Sequence, residues 1–258
     1  MRWTSVPFLL ALLVDAAPAG AQTSSAADPV LFTRAAFSFE WAGLSSPDPR
    51  FTWDARVRVD LDVLDTPRWR LGFLTDYNVV IGSERRPFDL NQGTYVFEGT
   101  ASRHLGSTEL SFVAKHVSRH LTDREQGPSI SWNYAGARVA HEHHAGRSHF
   151  TGALSLGRAM QPAFVDYLWT SDLQVMFRYE GSPRVEWIAR ADGSVIGTIR
   201  QVARRPRICG GRVEGAIRVN GQVAAVELFV GYERRMDGFP TDRFRVRFFS
   251  LGFRLLSR

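Results

Sequence analysis

Apolar and polar residues alternate along almost the whole chain from Ala35 onward, and this pattern predicts β-strands. Val57 and Val59, for example, alternate with Arg58 and Asp60. Because successive side chains of a strand point to opposite faces, each such segment has one apolar face and one polar face. The pattern recurs in about twelve segments, and no helical period or internal repeat of useful length interrupts it.

The connections between these segments alternate in length, as they do in up-and-down barrels whose turns lie at one end and whose loops lie at the other. The Asn220-Gly221 dipeptide is a strong hairpin signal. In the last segment the alternation slips at Phe248-Phe249, which predicts a β-bulge there. The shorter connections are Asp65–Arg68, Leu105–Ser107, His143–Arg147, Glu180–Pro183 and Asn220–Gly221; the longer ones are Leu44–Arg50, Gly82–Gly93, Arg119–Pro128, Arg158–Ala163, Arg200–Gly211 and Arg234–Arg243.

Alternation alone also fits an exported soluble β-sandwich, which would bury its apolar stripes and leave the charged stripes in water. Segment length favours a membrane barrel, because most stripes reach the ~9–11 residues that a tilted strand needs to cross a bilayer. No apolar run reaches the ~18 residues of a helical span. We therefore predict an all-β fold, a closed antiparallel transmembrane β-barrel of about 12 strands.

The N-terminus has the features of a secretory signal peptide. A charged start at Arg2 precedes a short apolar run from Pro7 to Val14, and small residues at Ala19 and Ala21 mark a cleavage site. We expect a signal peptide over residues 1–21, a tether over 22–34 and the barrel domain over 35–258. Export of a barrel from this signal predicts a bacterial outer-membrane protein cleaved after Ala21.

Charge and cysteine content narrow the expected partners. The chain of 258 residues has a formal charge of +6 and a single cysteine, Cys209, so no internal disulfide is possible. For an exported basic chain we expect contact with outer-membrane lipid and the phosphates of lipopolysaccharide, and there is no nucleic-acid motif. The oligomeric state is open. The candidate lipopolysaccharide-binding residues in the loops are Arg85, Arg86, Arg119, Arg204 and Arg205.

One segment combines a strand pattern with reactive side chains. In Leu110–Asp123 the apolar parity of Leu110 runs directly into His116 and Ser118 at the loop end. This resembles the His-x-Ser pair of outer-membrane phospholipases and lipid A deacylases. The resemblance implies that Ser118 attacks an acyl ester, that His116 accepts its proton, and that Asn133 on the next strand orients the imidazole.

The resemblance covers only a few residues and breaks at Arg119, where those families commonly have asparagine. For such a hydrolase, Asp123 and Glu125 are the candidate ligands of a metal ion, Ca²⁺, that would stabilise the oxyanion; otherwise no cofactor is expected. The alternative interpretation of His116 and Ser118 is a polar rim without chemistry.

Two further features allow more than one interpretation. The string from His116 through His120 to Asp123, and the loop at Glu84, also resemble a family of uncharacterised bacterial outer-membrane barrels, which implies fold and location but no activity. His141, together with neighbouring histidines, has a spacing compatible with a metal site, but a solvated turn is the better interpretation.

Three functions thus remain open at this point. The first is a lipopolysaccharide-associated barrel of unknown activity, the second a lipid acyl-ester hydrolase, and the third a narrow solute channel. The charged stripes that would line the barrel contain both signs, so we expect them to pair across the interior and to leave no wide pore.

Overall fold

The computed structural model describes residues 30–121, 130–199, 207–238 and 245–257. Each of these ranges is dominated by long strands. In chain order the strands are β1 (Val30–Leu44), β2 (Trp53–Asp65), β3 (Trp69–Gly82), β4 (Asp89–Leu105), β5 (Thr108–Leu121), β6 (Ile130–Ala145), β7 (Ser148–Ala163), β8 (Tyr167–Ser182), β9 (Val185–Thr198), β10 (Arg207–Asn220), β11 (Ala224–Arg235) and β12 (Val246–Ser257).

The strands form one closed barrel in which every strand pairs antiparallel with its neighbour in sequence. The seam between β1 and β12 runs from Ser38 opposite Leu256 to Leu44 opposite Ser250. Closure leaves no sheet edge with unpaired backbone groups. The predicted closed antiparallel barrel of about twelve strands is therefore confirmed.

The two ends of the barrel differ, as the connection lengths predicted. At the turn end, tight connections include those at Gly106 and Gly146, whose φ angles of +66° and +60° suit a residue without Cβ. At the loop end lie the longer connections, including the segment that contains Arg85 and Arg86. From β3 onward, each odd-numbered strand begins at the turn end. Strand β5 therefore runs from the turn end toward the loop end.

Apolar side chains cover the outside of the barrel. Leu228 on β11 is 63% exposed and Leu251 on β12 is 71% exposed, whereas Glu227, next to Leu228, is completely buried. A soluble protein does not present a continuous apolar surface while it encloses its charges. This arrangement rules out the β-sandwich alternative. Among the described residues there is no helix that is long and apolar enough to cross a membrane.

The inside of the barrel has a charged middle section and an apolar section at the loop end. In the middle, four arginines pair with four glutamates: Arg190, Arg212, Arg218 and Arg254 with Glu40, Glu186, Glu214 and Glu227. Toward the loop end, buried apolar side chains occupy the interior in two clusters: Val117, Ile130, Trp132, Ala159, Tyr167, Ile196 and Ile208 in one, and Phe51, Val80, Val246 and Phe248 in the other. Pairing of the interior charges, as predicted, is confirmed.

Three local expectations differ from the structure. The predicted connection Arg158–Ala163 belongs to β7, because pairing with β6 resumes after a register shift, so only residues 164–166 join β7 to β8. Strand β1 begins at Val30, within the predicted tether, because Leu31 and Arg34 pair with β2 around a register shift. The predicted bulge at Phe248-Phe249 is wrong, since β12 pairs with β11 in continuous register there. Phe248 points inward into an apolar cluster and Phe249 points outward, so two adjacent aromatic residues keep the alternation regular.

A close approach between β6 and β7 sets the barrel wall beside β5. Tyr134 is fully buried and lies against two glycines, Gly136 and Gly157. A Cβ atom at Gly157 would lie 2.6 Å from the Tyr134 ring and 2.5 Å from the Ala135 carbonyl oxygen. Only glycine fits there, because a side chain would collide with backbone as well as with the ring.

Candidate functional site

The loop-end half of β5 places three polar side chains on the outer wall. Along β5 the outward positions continue from Phe112 through His116 and Ser118 to His120, with Val117 buried in the interior between them. Residues two apart on a strand share a face and lie about 6.5 Å apart. Ser118 therefore has one imidazole on each side of it along the strand, on a wall that is otherwise apolar.

His116 is held by the neighbouring strand. The register of β5 and β6 puts His116 directly opposite Asn133, and the His116 Nδ1 atom lies 2.8 Å from Asn133 Oδ1. The cross-strand pair that the resemblance implied is therefore present in the structure. An Nδ1–H group that donates to this oxygen leaves the Nε2 lone pair of His116 available as a base.

Asn133 has a second partner on β7. Its Nδ2 group donates to Gln161 Oε1 at 2.7 Å, so a chain of hydrogen bonds joins three strands, β5, β6 and β7. Gln161 lies where the β6–β7 register shifts, and it has a φ angle of +48°. That combination is typical of a β-bulge, which turns a side chain away from its regular direction.

Ser118 has a different partner from the one expected. Its hydroxyl forms a hydrogen bond with His120 Nε2, and the described residues contain no hydrogen bond between Ser118 and His116. The reason is geometric, because a serine hydroxyl can turn toward either imidazole of its own strand face and in this structure it turns toward the loop end. His120 also contacts Tyr95 edge-on at 5.9 Å between ring centroids, and Tyr95 stacks on Tyr77.

Sequence reasoning missed two members of this cluster. His120 has the same parity as Ser118, so the period of two was a signal that could have assigned it to the site. Gln161 had no such signal, because it reaches Asn133 only through the bulge on β7. A bulge next to Pro162 is not visible in an alternation pattern that ends at a loop.

Several of the predicted cation ligands and arginines lie in parts of the chain that the structure does not describe. Asp123, Glu125, Arg204 and Arg205 lie outside the described residues. Within the described residues, there is no group of three or more histidine, cysteine or acidic side chains that could hold a metal ion. Calcium binding therefore stays a prediction.

The remaining predicted arginines occupy different surfaces. Arg85 and Arg86 are exposed in the loop between β3 and β4, and Arg86 lies 4.0 Å from Asp89. Arg119, in contrast, points into the barrel, where its Nη1 group donates to the Asp237 carbonyl oxygen at 2.8 Å. The strand alternation explains this, because Arg119 follows an outward residue and so takes the inward face. The prediction that Arg119 contacts lipopolysaccharide from an outer loop therefore does not fit its inward position.

The histidines near the turn end form small pairs. His141 Nδ1 lies 3.0 Å from Thr108 Oγ1, and His149 Nε2 lies 2.9 Å from Glu180 Oε1. His144 contacts His149 through their rings. His149 thus joins His144 and Glu180 in one cluster, and His144 is exposed, in agreement with the interpretation of this segment as a solvated turn.

An interior cavity lies among the charged side chains. It has a volume of about 840 Å³ and is lined by inward residues such as Arg56, Asp76, Arg212 and Arg254. Arg56 pairs with Asp76, and Arg254 pairs with Glu40. The cavity is therefore lined in part by paired charges, and toward the loop end its lining includes Val96 and Met236, which pack against one of the apolar clusters.

The comparison with solved structures found similar proteins, and the comparisons of the sequence did not. No family model and no curated protein matches the chain. The outer-membrane phospholipase of Salmonella typhi, a dimer with bound calcium, has a TM-score of 0.52 at 12% identity, covering 87% of this chain and 91% of that one. An active-site mutant of the Escherichia coli phospholipase, with an asparagine replaced by alanine, has a TM-score of 0.53 at 11% identity, covering 91% and 93%.

This chain has the fold of a twelve-stranded outer-membrane β-barrel. A third similar structure, OmpT of Vibrio cholerae, is 9% identical with a TM-score of 0.47, covering 86% of this chain and 97% of that one. At these identities the likeness concerns the fold alone. For this outer-membrane-type barrel, function must therefore be argued from its own side chains.

Proposed function

We propose that this barrel resides in the bacterial outer membrane and hydrolyses acyl esters of outer-leaflet lipids, with Ser118 as the nucleophile and His116 as the general base. The observation that carries the proposal is the polar group on the outer wall: Ser118 beside His116, with His116 held by Asn133. Apolar wall surrounds this group, and Phe97 directly opposite His116 is 46% exposed.

The membrane location follows from which side of the barrel is apolar. An aqueous environment would penalise a wall on which Leu228, Val230 and Leu251 are each more than half exposed. Acyl chains solvate such a wall, and the closed ladder satisfies the backbone groups that lipid cannot. A site at the loop end of the wall would then face the ester region of the outer leaflet.

The nucleophile and the general base of the reaction are both present in the site. The Ser118 oxygen forms a bond to the ester carbonyl carbon while His116 Nε2 accepts the hydroxyl proton. Collapse of the tetrahedral intermediate breaks the bond to the alcohol, which leaves with the proton from His116. Water, deprotonated by the same nitrogen, then releases the fatty acid from Ser118.

The choice of His116 over His120 rests on orientation. A general base works best when a third group fixes its tautomer, and Asn133 does this for His116. For His120 the contacts of the described residues are the Ser118 hydroxyl and the Tyr95 ring. Attack therefore requires the Ser118 hydroxyl to exchange His120 for His116, by rotation about its Cα–Cβ bond.

Phosphorylated lipids are the substrate class that the surroundings favour. Arg158 is exposed on the outer wall opposite Ala135, which in turn lies opposite Ala114 on β5. Arg85 and Arg86 are exposed at the loop end. One guanidinium group can donate two parallel hydrogen bonds to two oxygens of a phosphate. Both phospholipids and lipopolysaccharide are therefore compatible with this surface. Association with lipopolysaccharide is part of this proposal.

The similar structures support the proposal without deciding it. Two of them are outer-membrane phospholipases, and in one an asparagine of the active site has been replaced. Asn133 has a place in this chain that suits such a role, next to the base. The bound calcium of the Salmonella protein corresponds to the expectation for Asp123 and Glu125, and no step above depends on it.

The test measures fatty-acid release from phospholipid vesicles and from lipopolysaccharide by the refolded barrel. Ser118→Ala should reduce the rate by at least about 100-fold, since it removes the nucleophile. Ser171→Ala is the matched control, because Ser171 is an outward serine on β8, opposite Leu156. Equal rates for the wild-type protein and Ser118→Ala would exclude the hydrolase.

Two further variants separate the histidines. His116→Phe should lose activity to the same extent as Ser118→Ala, and His120→Phe should retain it. The reverse result would assign the base to His120 and would leave the hydrolase proposal standing.

A further inference from the structure

Asn133 can help His116 only in one of its two amide orientations. With Oδ1 toward His116, the imidazole must donate from Nδ1 and keeps a basic Nε2 atom. With the amide rotated, Nδ2 would donate to Nδ1 and the proton of a neutral imidazole would move to Nε2, where a base must be empty. The two ends of the Asn133 amide have the same shape, so its orientation depends on which atom its other neighbour, Gln161, presents to it.

We infer that Gln161 is a positioning residue: because it presents Oε1 to Asn133, it orients the Asn133 amide and thereby fixes the tautomer of His116. Gln161 Oε1 accepts a hydrogen bond from Asn133 Nδ2 at 2.7 Å, which leaves Oδ1 as the atom facing His116 at 2.8 Å. The hydrogen bonds thus link three side chains in series, from Gln161 on β7 through Asn133 on β6 to His116 on β5, and the orientation of each side chain affects that of the next. The inference rests on the proposed function for its catalytic consequence, but the tautomer can be measured without it.

The backbone at Gln161 supports a dedicated role. A φ angle of +48° is uncommon for a residue other than glycine, and Pro162 follows directly. The residue before proline is normally confined to extended conformations, so this position is unfavourable for two separate reasons. Strain of this kind persists where the surrounding structure requires it, and the contact that the bulge creates is the one with Asn133.

The experiment uses the full mature barrel, refolded in detergent micelles and labelled with ¹⁵N-histidine. The imidazole nitrogens are followed through a pH titration, and the tautomer is read from the neutral form at its alkaline end. The chain has seven histidines, so the signal of His116 is assigned with His116→Phe. Heat-modifiable gel mobility shows that each variant has folded.

Opposite substitutions at Gln161 give opposite expectations. Gln161→Glu keeps only acceptors and should leave His116 with its proton on Nδ1. Gln161→Lys presents only donors, so it should rotate the Asn133 amide and move the proton of His116 to Nε2. Lipid hydrolysis should then fall by about 100-fold or more for Gln161→Lys, since the base is blocked.

A double variant separates orientation from general disturbance. Asn133→Asp has no amide to rotate, so Asn133→Asp combined with Gln161→Lys should restore the proton to Nδ1. The inference is overturned if the wild-type protein carries the proton on Nε2, or if Gln161→Lys leaves it on Nδ1. Hydrolysis that survives in Ser118→Ala would instead refute the proposed function and leave the tautomer result unaffected.

Discussion

Replacing Glu227 by glutamine should destabilise the barrel more than replacing a carboxylate whose ion pairs solvent reaches. The Glu227 side chain is completely buried in the charged middle section. Its carboxylate accepts hydrogen bonds from Arg190, Arg218 and Arg254, among them two from Arg218 at 3.0 and 3.1 Å. An amide at this position would turn an N–H group toward three guanidinium groups.

The expected loss in the free energy of unfolding depends on which carboxylates the three arginines retain. Removing one partner of a buried ion pair costs about 3–5 kcal/mol, because the remaining charge stays buried without compensation. Arg190 and Arg254 retain Glu214, and Arg218 retains Glu186 at 3.3 Å. Because each arginine keeps a second carboxylate, we expect a loss at the lower end of that range, about 3 kcal/mol.

Urea unfolding of the refolded barrel in lipid vesicles measures this loss, with tryptophan fluorescence as the signal. The matched control is Asp60→Asn, because the side chain of Asp60 is 29% exposed and lies 3.3 and 3.5 Å from Arg34 and Arg58. An ion pair that solvent reaches contributes about 0–1 kcal/mol. Equal losses for Glu227→Gln and Asp60→Asn would refute the argument that the interior network is buried.

Three other predictions concern the wall and the interior. Val230→Arg, at an exposed position in the middle of β11, should destabilise the barrel in bilayers by about 2–4 kcal/mol, and an unchanged unfolding midpoint would contradict the membrane placement. Gly157→Val should cost about 1–3 kcal/mol and lower the refolded fraction on heat-modifiability gels, because its Cβ would meet backbone, whereas Gly99→Ala has open space and should refold normally. In planar bilayers the protein should give no steps of current, since apolar clusters occupy the interior at the loop end; regular conductance steps would revive the channel alternative.

The sequence predicted the architecture well because a barrel wall imposes one simple rule on each strand. Alternation at Val57 or Leu228 is required by the two environments on either side of the wall, so it is visible in the residues themselves. Alternation also predicted which face His116 and Ser118 share. It cannot reveal rotamers, and so the hydrogen bond from Ser118 to His120 was not foreseeable.

Of the two site residues that were missed, His120 keeps the strand period, whereas Gln161 breaks it. Gln161 enters the site through a positive φ angle and a register shift, and neither leaves a mark in a pattern of apolar positions. The Phe248-Phe249 pair shows the opposite error, because two adjacent aromatic residues suggested an irregularity where the strand is regular. Inside and outside are both apolar at that level of the barrel, so composition carries no parity signal there.

The seam between β1 and β12 has a consequence for how this protein must be made. Ten intervening strands can zip onto their neighbours one after another, yet the cylinder stays an open ribbon until its last strand meets its first. Such a long-range step is slow. Until it is complete, two unpaired strand edges and the apolar outer surface can associate with other unfolded chains. We therefore expect the unfolded polypeptide to need a chaperone while it is in water. We also expect it to need a catalyst for the pairing of the first strand with the last.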